Sequence, residues 1–105
     1  MANICENKFY VGADNKETIQ QVSDKFESLF GKKLDGELTW VDDYFLEGYF
    51  DSKWVFPMSL FKDLFEDIDD DTLQMRCLSE EYGCGYVAMN IYCDNEWREE
   101  QIFDL

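Results

Sequence analysis

The chain has 105 residues, 24 of them Asp or Glu and 9 Lys or Arg, so its formal net charge is −15, and it contains no histidine. That length accounts for one domain, and 46% hydrophobic with 17% aromatic residues is too apolar for a disordered acidic tail. The charge excludes non-specific nucleic-acid binding and adsorption to anionic membranes, and the lack of histidine removes the usual general base and the commonest metal ligand.

Residues 3–11 alternate toward Ile4, Phe9 and Val11 and predict a first strand, closed by Gly12. Asp14, three residues before Glu17, predicts an Asp-initiated capping box. Ile19, Val22, Phe26 and Leu29 recur at helical spacing and predict a first helix over residues 15–30, stopped by Gly31. Residues 38–41 and 44–51 are aromatic and branched and predict two strands, with Asp42-Asp43 as the hairpin turn. Pro57 fits the first turn of a second helix, whose apolar stripe is Phe61, Leu64, Phe65 and Ile68. Residues 73–79 and 85–93 predict the last two strands. Two helices among five strands predict an α+β sandwich, both helices on one face of a mostly antiparallel sheet, with the two stripes in one core.

The start MANICENKFY has no basic region followed by an apolar core, so no signal peptide is expected, and no run reaches the length of a membrane span. Cys5, Cys77, Cys84 and Cys93 form no CxxC pair, so they are expected as reduced, mostly buried thiols in a cytoplasmic protein. The disulfide framework is the weaker alternative.

Charge is divided unevenly. Residues 1–33 hold five acids and five lysines, whereas the rest holds nineteen acids and four bases and so carries the whole −15. Residues 35–51 and 63–71 each contain six acids and no base, and residues 94–104 contain five acids and Arg98.

Three pieces occur together: the opening Met1-Ala2-Asn3 with Cys5, the segment Phe50-Asp51-Ser52-Lys53-Trp54 leading to Pro57, and Glu80-Glu81-Tyr82-Gly83-Cys84-Gly85-Tyr86. In this order they resemble the YubB-type ferredoxin-like domain of phage and plasmid accessory proteins. Phe56 stands where that pattern often has a second proline. The resemblance implies a ferredoxin-like β-α-β-β-α-β(-β) fold and a mobile-element origin, and it implies no catalytic residues.

Individual motifs favour no chemistry. Asp67 to Asp71 fails the EF-hand in both registers, because Thr72 and Leu78, or Leu73 and Gln74, stand where the loop needs other residues. Gly83-Cys84-Gly85 lacks the P-loop lysine and sits beside Glu80 and Glu81, so a tight turn at a strand entry is expected. Cys84 has no histidine or nearby lysine to activate it. Trp40 and Trp54 are expected in the core or at its rim. Trp97, ringed by Glu96, Arg98, Glu99 and Glu100, is a candidate interface anchor.

No catalytic residue, metal site or cofactor is therefore expected. The expected function is inhibition of a host nucleic-acid-binding defence protein, of anti-CRISPR or anti-restriction type, by an acidic surface that imitates DNA. The alternative is an accessory domain that recognises a host protein or small ligand without such mimicry. Asp63, Glu66, Asp67 and Asp70 should share the outer face of helix two, with Asp69 and Asp71 past its end. Glu96, Trp97, Glu99 and Glu100 should continue one surface, facing a basic partner cleft and binding no nucleic acid directly.

Overall fold

In the computed structural model, which describes residues 4–81, 83 and 85–103, eight elements follow one another. They are β1 (Ile4–Gly12), α1 (Lys16–Leu29), β2 (Asp35–Asp42), β3 (Phe45–Lys53), α2 (Met58–Phe65), β4 (Gln74–Glu81), β5 (Tyr86–Cys93) and β6 (Glu96–Phe103). Of the residues singled out in the sequence, Met1, Ala2, Asn3, Tyr82, Cys84 and Asp104 lie outside the described ones. The strands form one six-stranded antiparallel sheet in the order β2-β3-β1-β4-β5-β6. Among the described residues, no helix is long and apolar enough to cross a membrane.

Alternation decides which side of the sheet is covered. In β1, Cys5, Asn7, Phe9 and Val11 are buried while Ile4, Glu6, Lys8 and Tyr10 face out. Both helical stripes pack on the buried side: Ile19, Val22, Phe26 and Leu29 of α1 share one core with Phe61 and Phe65 of α2 and with Ile68. Leu64 is only partly buried. The centre is aromatic, with Phe9 on Phe26 at 4.9 Å, Phe50 on Phe61 at 5.3 Å and Phe56 on Phe61 at 5.0 Å between ring centroids.

The other end of this side is polar but buried. Asn7 is 1% exposed; its Nδ2 donates to Phe50 O at 3.1 Å and Ser52 Oγ at 2.9 Å, and its Oδ1 accepts from Ser79 Oγ at 2.6 Å. Ser52 in turn donates to Val55 O at 2.8 Å, which fastens the β3–α2 loop to the sheet. Asn90 of β5 is also fully buried, yet although its carboxamide lies near the Tyr86 phenol, neither its nitrogen nor its oxygen closes a hydrogen bond. Cys5 and Cys77 are buried thiols, and Cys93 is half-buried. Burial pushes the Cys77 thiol up to about 12.

Several sequence expectations need correcting. The α1 cap is Asn15, whose Oδ1 accepts the Glu17 N–H at 3.0 Å; Asp14 instead turns its backbone N–H to Thr72 Oγ1 at 2.9 Å. The hairpin turn moves one residue on, to Asp43 and Tyr44, with Asp42 Oδ1 accepting the Tyr44 N–H at 2.7 Å. Pro57 stands at the cap of α2, just before its first turn. Trp40 and Trp54 are exposed, at 41% and 46%. A sixth strand, β6, lies where only an acidic segment was expected. Its entry is the two-residue turn Asp94-Asn95 with φ of 54° and 61°, the left-handed pair that a tight hairpin requires.

Candidate functional site: an acid-rimmed aromatic cleft

Helix α2 has eight residues and ends at Phe65, two of its buried side chains being Phe61 and Phe65. The chain then turns, with the Ile68 N–H on Phe65 O at 3.2 Å, and Ile68 drops into the core at 5% exposure. Glu66, Asp67 and Asp70 are therefore not on the outer face of the helix as expected; of the acids in question, only Asp63 is helical. Further on, the short side chain of Asp70 organises a second turn. Its Oδ1 accepts the Thr72 N–H at 2.8 Å and the Thr72 hydroxyl at 2.7 Å, and its Oδ2 accepts the Thr18 hydroxyl at 2.6 Å.

This connection is tied down on both sides. Lys25 of α1 pairs with Asp67 at 2.7 Å, and Asn95 in the β5–β6 turn donates to Asp71 Oδ1 at 2.8 Å. The hydrogen bond from Thr18, then those from Thr72, hold the Asp70 carboxyl below the usual carboxylate range. The hydrogen bond from Lys25 does the same for Asp67.

Between the turn after α2 and the β5–β6 hairpin lies an open cleft of about 790 Å³. Its floor is Phe65, Ile68, Tyr92 and Trp97; its rim is Lys62, Asp63, Glu66, Asp67, Asp69 and Asn95. Tyr92 and Trp97 are cross-strand partners, with ring centroids 5.2 Å apart, and Trp97 lies 5.5 Å from Phe65 and 5.6 Å from Phe56. The indole is thus half-buried at the core rim, with its Nε1 buried and unpartnered, and does not project among the neighbouring acids of β6.

Comparison with protein-family models, with curated proteins and with solved structures finds no match for this chain. The site stands on its own geometry.

Of the ten residues expected to form one surface, five meet at this cleft: Asp63, Glu66, Asp67, Asp69 and Trp97. Asp70 and Asp71 sit beside it in fastening bonds. Glu99 lies on the same side of the sheet but further along β6, where its Oε2 accepts the Tyr86 hydroxyl at 3.2 Å. Burial, then the Glu99 charge, pushes that phenol up to about 12. Glu96 and Glu100 alternate with Trp97 and Glu99 and so face the opposite side of the sheet. The expected single acidic surface is therefore divided. Tyr92, part of the floor, escaped sequence reasoning; the signal that finds it is Asp94-Asn95 read as a two-residue turn, which sets Tyr92 against Trp97.

Chemically, a half-buried indole beneath a rim of carboxylates suits a guanidinium or ammonium group. The ring face contributes a cation–π attraction and the rim steers the charge inward.

Proposed function

We propose that this chain is a non-catalytic, acidic binding protein of a phage or other mobile element. It inhibits a host nucleic-acid-binding defence protein, of anti-restriction or anti-CRISPR type, by occupying that protein's basic cleft in the host cytoplasm. One observation carries this reading: four carboxylates, on Asp63, Glu66, Asp67 and Asp69, against the single base Lys62, rim a cleft floored by Trp97. A rim of this sign speeds encounter with a basic surface, and a central aromatic provides the anchor typical of interface hot spots. The mobile-element origin rests on the YubB-type resemblance. The ferredoxin-like topology belongs to the same proposal, supported by the neighbour order β2-β3-β1-β4 of the first four strands, all antiparallel.

The test is capture of partners from a bacterial host lysate on the immobilised parent and on Asp63→Lys/Glu66→Lys/Asp69→Lys. The reading expects a basic nucleic-acid-binding protein on the parent, competed off by nucleic acid, weakened as salt passes physiological strength and absent from the triple variant. Equal capture by both proteins overturns the cleft reading. A second reading, recognition of a host protein without imitation of DNA, is favoured by the division of the acids between the two sides of the sheet. It predicts capture that nucleic acid does not displace.

A further inference from the structure

Among the described residues, no element covers the side of the sheet away from the helices. It carries Tyr10 and Tyr49 at 51% and 50% exposure, and Leu78 and Met89 half-buried. The register places four carboxylates in one line across it. Asp35 on β2 faces Asp51 on β3, Asp51 faces Glu6 on β1, and Glu6 faces Glu80 on β4. Like charges directly opposite one another across strands oppose folding. The next line, two residues along each strand, runs Glu37, Tyr49, Lys8, Leu78, Met89. The Glu37 charge pushes the Tyr49 phenol up, with smaller contributions from burial and Asp51.

We infer that this open face docks a basic amphipathic helix of a partner protein, its Lys or Arg residues on the carboxylate line and its apolar stripe on Tyr49, Leu78 and Met89. Strands lie about 4.8 Å apart, so the line spans about 14 Å. A helix presents one residue on a given face per turn of about 5.4 Å, so four basic residues over three turns extend about 16 Å. Laid across the strands, such a helix brings each base near one carboxylate. Other occupants fit less well. Nucleic acid and a second copy of this chain both bring negative charge against the line. Among the described residues, no group of three or more acids or thiols is arranged to hold a metal ion. Lys33 and Lys53 line a hollow with Asp35 and Asp51 at the β2 end of the line.

This second surface rests on the basic-partner reading but is tested apart from the cleft. The probes are two synthetic 18-residue helical peptides of identical composition. One has lysines along a single face beside a leucine stripe; the other has them spread around the helix. Each is titrated into the full chain by fluorescence anisotropy at physiological salt. The one-faced peptide should bind the parent at least tenfold more tightly than the other. Glu6→Gln/Asp51→Asn should lose at least tenfold, more than Asp63→Asn/Glu66→Gln loses, and Glu17→Gln/Glu27→Gln on α1 should stay within twofold of the parent. Melting of Glu6→Gln/Asp51→Asn should rise, by roughly 2–6 °C, because opposed like charges are relieved. Equal binding of the two peptides, undiminished binding by Glu6→Gln/Asp51→Asn, or a lower melting temperature for that variant overturns the inference. Loss only in Asp63→Asn/Glu66→Gln overturns it too, while leaving the cleft reading intact.

Discussion

The two sides of β1 obey different rules, and neighbouring residues show it. Phe9 is 1% exposed and stacks on Phe26, whereas Tyr10 is 51% exposed on the uncovered side. On the covered side position is dictated by volume, because a close-packed core registers the loss of even one methylene. On the open side volume counts for little and charge placement is free to serve something other than folding. The line of opposed carboxylates could persist only there. Antiparallel sheets commonly have one solvated face; here that face carries the carboxylate line.

The sharpest way to test the contrast is to remove a core ring. Phe65→Ala, at 2% exposure with aromatic neighbours on α1, α2, β5 and β6, should cost about 3–5 kcal/mol by urea denaturation. The two buried asparagines separate satisfied from unsatisfied polarity within the covered side. Asn7→Leu should destabilise by about 1–3 kcal/mol, because Ser52 and Ser79 lose their buried partner. Asn90→Leu, which replaces an unpartnered carboxamide with an apolar group of similar size, should be neutral or stabilise by about 1 kcal/mol.

A smaller effect is expected at the seam between α1 and the cleft. Thr18→Val removes one hydrogen bond to Asp70 and should cost about 0.5–1.5 kcal/mol at neutral pH. Because the Asp70 carboxyl is held below its ordinary value, its contribution is complete above the ordinary carboxylate pKa. It is lost as pH falls through the lowered, folded value. The gap between Thr18→Val and the parent should therefore narrow on acidification through that window, as read by denaturation at several pH values. The smallest change belongs to the open side: Tyr10→Thr should stay within about 0.5 kcal/mol of the parent. A loss from Tyr10→Thr as large as that from Phe65→Ala would erase the distinction between the two sides.

Much of this was legible in the residues themselves. The spacing of Ile19, Val22, Phe26 and Leu29 fixed α1 and its buried stripe because a helix repeats every 3.6 residues whatever surrounds it. The aromatic and branched runs located β1 to β5 for the corresponding reason. The end of α2 was not legible, since apolar residues keep helical spacing through Ile68 although the helix itself ends at Phe65. Strand β6 was obscured because its outward positions, Glu96, Arg98 and Glu100, read as a charge run, and its inward Trp97 found its meaning only against Tyr92, Phe65 and Phe56. The carboxylate line was the furthest from view. Asp35, Asp51, Glu6 and Glu80 come from four separate stretches of chain, and only strand register, set by which face must be buried, could bring them side by side.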